Sequence, residues 1–184
     1  MSHIRLSRII NVTHEYVFDL MWHKEDSALT QNSDGWTRMV KSLDELLSEN
    51  DHNITTLANT AAFLAVSVPR INWVGFYLFD GVRLYLGPFS GKPACTLIEI
   101  GKGVCGSSAL SKKIIIVEDV SKYSGHIACD ADSRSEIVIP IITKKGELFG
   151  VLDVDSPELS RFGSYEKGVF EAVVKVLEQK LMIK

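Results

Sequence analysis

The chain has 184 residues, of which 46% are hydrophobic and 23% charged, and its formal net charge is −3. This length allows one domain with a sizeable core, and the slightly acidic balance argues against a general nucleic-acid binder, which usually carries a basic stripe. No apolar run reaches the length of a membrane span, and the start lacks a secretory signal. We therefore expect a cytoplasmic protein that binds neither nucleic acid nor membrane.

The first 33 residues show only weak helical periodicity. We expect residues 1–33 to form an N-terminal extension, weakly structured or helical, before a single domain over residues 34–184. A polar break at residues 31–35 separates the two segments, and Ser33 or Asp34 is a suitable cap for the helix that follows.

Two helices are predicted next. The first has an apolar face made of Met39, Leu43, Leu46 and Leu47. The second contains mostly apolar and small residues over 54–65 and ends near Pro69. Its small side chains indicate close packing against a sheet.

A strand-rich half follows the helices. The aromatic and β-branched run over residues 72–79 predicts a strand, and Asp80-Gly81 predicts a hairpin turn. The return strand begins over residues 83–86, and Gly87-Pro88 is expected to interrupt it. Residues 95–100 have the composition of a further strand.

The last elements complete an alternating pattern of strands and helices. They are a glycine-rich turn at 101–106, a short helix at 107–111, a strand at 114–117, a long polar loop at 118–135, strands at 137–142 and 148–154, and a closing helix at 165–181. Tight hairpins at both ends of the strand region predict an antiparallel sheet. The class is therefore α+β, with helices on one face.

An odd number of cysteines, three, does not suit a disulfide framework, and their spacing is not that of paired zinc ligands. Cys95 follows a turn rich in glycine and proline, where a packed thiol is the ordinary interpretation. Cys105 lies among glycines whose N–H groups can bind an anion or lower a thiol pKa, although simple packing is an equal alternative. Cys129 follows His126 by three residues in the polar loop, which favours a reactive thiol.

Acidic and aromatic residues supply further candidates. Glu136 opens an apolar strand, and Asp153 and Asp155 alternate onto one face of the last strand. Carboxylates grouped in this way bind a cation or perform acid–base work, whereas a solvated strand end is the plain alternative. Trp73 and Tyr77 share a strand face and would form an apolar or cation-binding wall if they do not simply pack in the core.

Six motifs, in order and with compatible spacing over roughly residues 37–180, resemble those of the free methionine-(R)-sulfoxide reductases. They are Ile71-Asn72-Trp73-Val74-Gly75-Phe76-Tyr77, Gly87-Pro88-Phe89, Gly101-Lys102-Gly103-Val104-Cys105-Gly106, Gly125-His126-Ile127-Ala128-Cys129-Asp130, Ser135-Glu136-Ile137-Val138 and Gly150-Val151-Leu152-Asp153-Val154-Asp155. The resemblance implies a GAF fold, in which helices flank a central antiparallel sheet. It also implies reduction of the R epimer of the free amino acid.

The resemblance further implies roles for the thiols. Cys129 would be the nucleophile and Cys95 the main resolving thiol. Cys105 would be a secondary resolving thiol, with a nucleophilic role left open by its glycine-rich setting. The resulting sulfenic acid would condense to an intramolecular disulfide, which thioredoxin would reduce by exchange.

The other site residues follow from the same resemblance. Glu136, Asp153 and Asp155 match the carboxylates that hold the substrate and transfer protons, and either Glu136 or Asp155 would protonate the sulfoxide oxygen. Trp73 and Tyr77 match the wall around the substrate's methyl end. No metal or organic cofactor is needed, and a homodimer is expected.

Two other functions fit parts of the same pattern. A GAF domain also serves as a sensor module that binds a small ligand without catalysis, because fold alone does not decide function. The cysteines would also suit a metal-binding or redox-sensing protein that does not turn over. A sensor module would not need three thiols with acidic partners, and a stoichiometric bound metal in the purified protein would favour the metal-binding alternative.

Overall fold

The computed structural model describes residues 33–123, 125 and 132–182. The predicted extension, apart from Ser33, lies outside the described residues, and so do His126 and Cys129. The described elements are α1 (Ser33–Leu46), α2 (Asn53–Ser67), β1 (Trp73–Phe79), β2 (Arg83–Ser90), β3 (Leu97–Glu99), α3 (Gly103–Ser111), β4 (Ile115–Val117), β5 (Ser135–Ile142), β6 (Leu148–Ser156) and α4 (Ser164–Lys180).

The strands form one antiparallel sheet in the order β3-β2-β1-β6-β5-β4. Hairpins join β1 to β2 and β5 to β6, so these pairs are neighbours both in sequence and in the sheet. The predicted α+β class, with helices flanking a central antiparallel sheet, is confirmed. None of the helices in the described part of the chain is both long enough and apolar enough to cross a membrane.

One face of the sheet packs against α2 and α4, and α1 packs against these two helices. Leu57 and Leu64 of α2 and Phe170 of α4 bury their side chains against Phe76 and Leu152 of the sheet, and all five are at most 1% exposed. Burial of this much apolar surface is the main term that favours folding.

The opposite face packs against α3, so the expectation that all helices lie on one face is wrong. Val104 of α3 contacts a second buried cluster that includes Trp73, Tyr77, Val138 and Val151. The strands β5 and β6 are buried along most of their length. A strand that carries apolar residues on both faces needs cover on both, and α3 supplies the second cover.

The return strand β2 continues through Gly87-Pro88, which were expected to interrupt it. The register moves from Gly75 opposite Phe89 to Tyr77 opposite Leu86, so Gly87 and Pro88 together oppose one residue of β1. This is a β-bulge, where a proline without an N–H is tolerated inside a strand.

The glycine-rich segment is also more helical than expected, and the strand before it is shorter. The helix α3 begins at Gly103, so Cys105 and Gly106 lie in its first turn and not in an open turn. The strand β3 spans only Leu97–Glu99, which leaves Cys95 in the loop before it.

Close contact of α3 with the sheet depends on Gly106. A Cβ placed there would lie 2.3 Å from the carbonyl oxygen of Glu99, which is a backbone atom that cannot rotate away. The Gly101 N–H donates to the Gly106 carbonyl at 2.8 Å, and the Gly106 N–H donates to the Lys102 carbonyl at 3.0 Å. These contacts fix the height of α3, and therefore of Cys105, above the sheet.

We expect Gly106→Ala to lower the free energy of unfolding by about 1–3 kcal/mol, because the added methyl group must push α3 away from Glu99. Gly168→Ala is the matched control, since Gly168 lies in α4 with no atom near its Cβ position. That substitution should raise stability by about 0.5–1 kcal/mol through helix propensity. Urea unfolding of both variants measures the difference, and an equal effect of the two would contradict the packing argument.

Candidate active site

The register of three neighbouring strands brings the predicted polar residues together. Trp73 on β1 lies opposite Asp155 on β6, and Asp155 lies opposite Glu136 on β5. One step along, Gly75 lies opposite Asp153. Side chains of directly opposed residues project from the same face, and residues two apart on a strand also share a face. Trp73, Asp155, Glu136 and Asp153 therefore all project toward α3.

Cys105 of α3 lies over this row of side chains, which we call the acidic row (Glu136, Asp153 and Asp155). Its Sγ donates to Oε1 of Glu136 at 3.9 Å. One atom each of Cys105, Glu136 and Asp153 lie within 4.8 Å of one another, and the three residues are 3%, 5% and 7% exposed. Oδ1 of Asp153 has no hydrogen-bond partner among the residues that the structure describes.

Burial dominates the electrostatics of this cluster. Burial, followed by the charge of Asp153 and that of Asp155, raises the pKa of Glu136 well above its usual range. Burial raises the pKa of Asp153 to about 6, although hydrogen bonds with Cys105 and Glu136 act in the opposite direction. The raised pKa of Glu136 favours its carboxylic-acid form, and Asp153 is mainly a carboxylate above about pH 6. An acid beside a carboxylate is the arrangement that proton transfer requires.

Cys105 does not have the lowered pKa that its glycine-rich setting suggested. Burial, then the charges of Asp153 and Glu136, raise the pKa of this thiol well above its usual value. A helix N-terminus favours a thiolate, but loss of water and two nearby acids outweigh that effect. Cys105 is therefore a protonated thiol at neutral pH, which argues against the nucleophilic role that its sequence setting left open.

An aromatic wall borders the cluster. Trp73 stacks with Tyr77, at a centroid distance of 6.0 Å, and with Phe89, at 5.4 Å. The indole N–H of Trp73 donates to the Lys92 carbonyl at 3.0 Å. The wall fits closely, because a Cβ on Gly75 would lie 2.4 Å from the Cβ of Phe89.

Phe89 belongs to this wall, yet the sequence pattern did not indicate it. Leu84 and Leu86 face the α3 side, so simple alternation along β2 would turn Phe89 to the other face. The bulge at Gly87-Pro88 inserts one residue and reverses the alternation. A proline within an otherwise continuous strand pattern is the signal that points to such a bulge.

Cys95 lies at the edge of the wall. It is half-buried, and its carbonyl accepts a hydrogen bond from the Tyr77 hydroxyl at 3.1 Å. The predicted nucleophile Cys129 lies outside the described residues, as does His126. The chain that follows them is attached to the wall, since Asp132 pairs with Lys92 and the Ser133 hydroxyl accepts from the Asn72 side chain at 3.0 Å.

The fold is that of a GAF domain, and the GAF domain family matches residues 53–181. The free methionine-R-sulfoxide reductase of Escherichia coli is 42% identical over 141 residues, which cover 77% of this chain and 85% of that protein.

Two solved structures extend the likeness to three dimensions. The reduced form of the enzyme fRMsr of Staphylococcus aureus is 45% identical, with a TM-score of 0.76 over 79% of this chain and 94% of that one. The free methionine-R-sulfoxide reductase of Neisseria meningitidis, in complex with its substrate, is 37% identical, with a TM-score of 0.73 over 79% and 87%. The chain belongs to the free methionine-R-sulfoxide reductase family of GAF-domain proteins, which confirms the resemblance of its motifs.

The raised pKa of Asp153 predicts a pH-dependent stability. In the unfolded chain this carboxyl titrates near 3.8, whereas in the folded protein its pKa is about 6. The protonated form thus favours folding, so its stabilising effect is complete below about pH 4 and is lost as pH rises through about 6. Relative to Asp153→Asn, we expect the wild type to lose on the order of 1–3 kcal/mol between about pH 4 and pH 7.

Denaturant unfolding at a series of pH values measures this difference. Asp119→Asn is the control with the opposite sign, because hydrogen bonds from Ser121, then from Lys122, hold the pKa of Asp119 below its usual value. The wild type should gain stability relative to that variant as pH rises. If the Asp153 difference were flat with pH, the carboxyl would not be perturbed in the folded state.

Proposed function

We propose that this protein reduces free L-methionine-R-sulfoxide to L-methionine with its cysteine thiols. The observation that carries the proposal is the buried cluster of Cys105, Glu136 and Asp153 beside the aromatic wall. Relatives that are named for this activity and similar over most of their length support it. Soluble thiol chemistry of this kind suits a cytoplasmic setting, where thioredoxin keeps thiols reduced.

Substrate recognition would rest on the free ammonium group. Asp153 and Asp155 project from one face of β6 and are only 7% and 9% exposed. A carboxylate that has lost most of its water binds a cationic donor strongly when the pair is well aligned. Methionine sulfoxide within a protein chain has no ammonium, so this pair explains a preference for the free amino acid.

The aromatic wall would hold the other end of the substrate. Trp73, Tyr77 and Phe89 present stacked rings next to the acidic row. Rings offer apolar contact to a methyl group and favourable contact to sulfur. In this arrangement the sulfoxide would lie between the wall and the acidic row.

Glu136 is the acid that we favour for the sulfoxide oxygen. Burial and the neighbouring aspartates raise its pKa well above the usual range, which favours the protonated form, and an acid with a raised pKa is an effective proton donor in a transition state. Asp155, which lies directly opposite on β6, is the second candidate. Protonation of the oxygen makes the sulfur electrophilic and weakens the S–O bond.

The thiol steps conserve atoms and electrons. The Cys129 thiolate attacks the sulfoxide sulfur and forms an S–S bond, while the acid supplies a proton to the oxygen. The hydroxyl group then moves to the Cys129 sulfur as the substrate S–O bond and the new S–S bond break, which leaves a sulfenic acid and free methionine. The Cys95 thiol then attacks the sulfenic sulfur, which forms a disulfide and releases water. A dithiol such as thioredoxin reduces that disulfide by exchange. Cys105 serves as a secondary resolving thiol, because its protonated form is a poor first nucleophile.

Turnover of free L-methionine-R-sulfoxide with a thioredoxin regenerating system tests the reaction. We expect activity with the R epimer only, and complete loss of turnover in Cys129→Ser, because a serine hydroxyl is not a comparable nucleophile. The S epimer is the control substrate. Turnover that survives in Cys129→Ser would move the nucleophile to Cys105, and an inactive, fully reduced wild type would favour a sensor module that binds a ligand without catalysis.

The ammonium subsite makes a separate prediction. Asp153→Asn should raise KM for the free amino acid roughly 10- to 100-fold, the range for loss of a hydrogen bond to a charged group, with a smaller effect on kcat. N-acetyl-methionine-R-sulfoxide lacks the ammonium group and is the matched control. It should be a poor substrate of the wild type, and Asp153→Asn should change its kcat/KM little. An equal loss for both substrates would place Asp153 in the chemical step and not in ammonium binding.

A further inference from the structure

We propose that Cys105, Glu136 and Asp153 also form a binding site for a thiophilic divalent cation such as Zn²⁺, which inhibits the protein reversibly by competing with its substrate. Metal binding follows from the geometry of the cluster alone. The inhibitory part rests on the function proposed above.

The three donor atoms have nearly the spacing that zinc requires. They lie within 4.8 Å of one another, and Cys105 Sγ is 3.9 Å from Oε1 of Glu136. Zinc binds sulfur at about 2.3 Å and carboxylate oxygen at about 2.0–2.2 Å, so tetrahedral sulfur and oxygen ligands are roughly 3.5 Å apart. Side-chain adjustments of less than about 1 Å would therefore complete the geometry.

Asp153 gives an independent indication of a missing ligand. Its Oδ1 is buried and has no hydrogen-bond partner in the described part of the chain, and the residue is 7% exposed. An acceptor that loses water without gaining a partner is costly. A cation in the cluster would satisfy this oxygen and offset the negative charge of the neighbouring acids.

The mixture of donors selects the type of metal. One sulfur and two carboxylate groups suit zinc and related thiophilic ions. Mg²⁺ and Ca²⁺ take six or more oxygen ligands and do not use thiolate. Three protein ligands leave the fourth position of a tetrahedral zinc ion for a water molecule or another small ligand.

The ligands come from three rigid elements. Glu136 lies on β5 and Asp153 on β6, two strands paired along their length, and Cys105 lies on α3 at a height fixed by Gly106. Ligands held in this way need little reorganisation when they bind. The Cys105 thiol gives its proton to the buffer as the metal–sulfur bond forms, as does the Glu136 acid, and no atom is oxidised or reduced.

Competition with substrate follows from charge. A free amino acid would present its ammonium group to Asp153 and Asp155, and Zn²⁺ would bind Glu136 and Asp153, so both cations need Asp153. Two cations cannot bind side by side to one desolvated carboxylate, because repulsion in a site of low dielectric is strong. Zinc and substrate should therefore exclude each other.

Zinc titration of the full chain tests the site. The chain has three cysteines, so Cys95→Ser with Cys129→Ser leaves Cys105 as the single thiol. We expect this parent protein to bind one Zn²⁺ in competition with a chromophoric chelator. We also expect Co²⁺ to give a thiolate-to-metal charge-transfer band, and excess Mg²⁺ to leave the binding of Zn²⁺ unchanged.

Further substitutions in this parent identify the ligands. Cys105→Ser, Glu136→Gln and Asp153→Asn should each weaken Zn²⁺ binding by more than about tenfold, since loss even of a group that only orients a ligand has that effect. Glu118→Gln, which changes an exposed carboxylate outside the cluster, is the matched control and should bind as the parent does. Circular dichroism checks that each variant is folded, and Glu136→Asp replaces Glu136→Gln if the latter unfolds.

The outcomes separate the two proposals. Absence of stoichiometric binding, or binding unchanged by all three substitutions, overturns the metal site. If Zn²⁺ binds but free methionine-R-sulfoxide does not displace it, competition is overturned. Wild-type protein that fails to turn over in the presence of a chelator would overturn the proposed reductase activity while leaving zinc binding intact.

Discussion

Pairing of β5 with β6 is the constraint on which the site depends. It places Glu136 opposite Asp155, and pairing of β6 with β1 places Trp73 opposite the same aspartate. A slip of one residue in either register would turn these side chains to the other face and into the apolar core. The acids are therefore held together by backbone hydrogen bonds and by apolar packing on the far face. Attraction among the acids themselves does not hold them, since like charges repel.

Burial of several acids under α3 opposes folding, and the rest of the domain offsets that effect. Glu136 and Asp153 have raised pKa values because the charged forms lose water in this environment. The apolar cluster beneath α1, α2 and α4 contains many side chains that are almost fully buried. The free energy gained there offsets the cost of burying the acidic side chains on the other face of the sheet. Strain of this kind is typical of sites where chemistry needs perturbed groups.

The sequence predicted those parts of the site that depend on local periodicity. The alternation of Asp153 with Asp155 and the four-residue spacing of Trp73 and Tyr77 each identified a shared face, and strands have a fixed period of two. Phe89 was not found, because the bulge in β2 reverses that period at Gly87-Pro88.

The chemical state of Cys105 could not be predicted either. It depends on acids that are distant in sequence, and only the packing of α3 on β5 and β6 brings them together. The placement of α3 on the second face of the sheet could not be predicted for the same reason, because it also depends on contacts between residues that are distant in sequence. The glycines of this segment are visible in the sequence. The close contact of Gly106 with the backbone oxygen of Glu99, which holds α3 on the sheet, is visible only in the structure.

The state of Cys105 has a consequence for how the thiols divide their work. A nucleophile that attacks a sulfoxide must be a thiolate, and a thiol surrounded by desolvated acids is kept protonated. In the proposed reaction the proton donor for the sulfoxide oxygen is one of those same acids. Loss of water around the cluster favours a neutral carboxylic acid and disfavours a thiolate, so the cluster suits the proton donor better than the attacking sulfur. This is the physical reason why the proposed reaction assigns the proton to Glu136 and does not assign the attack to Cys105.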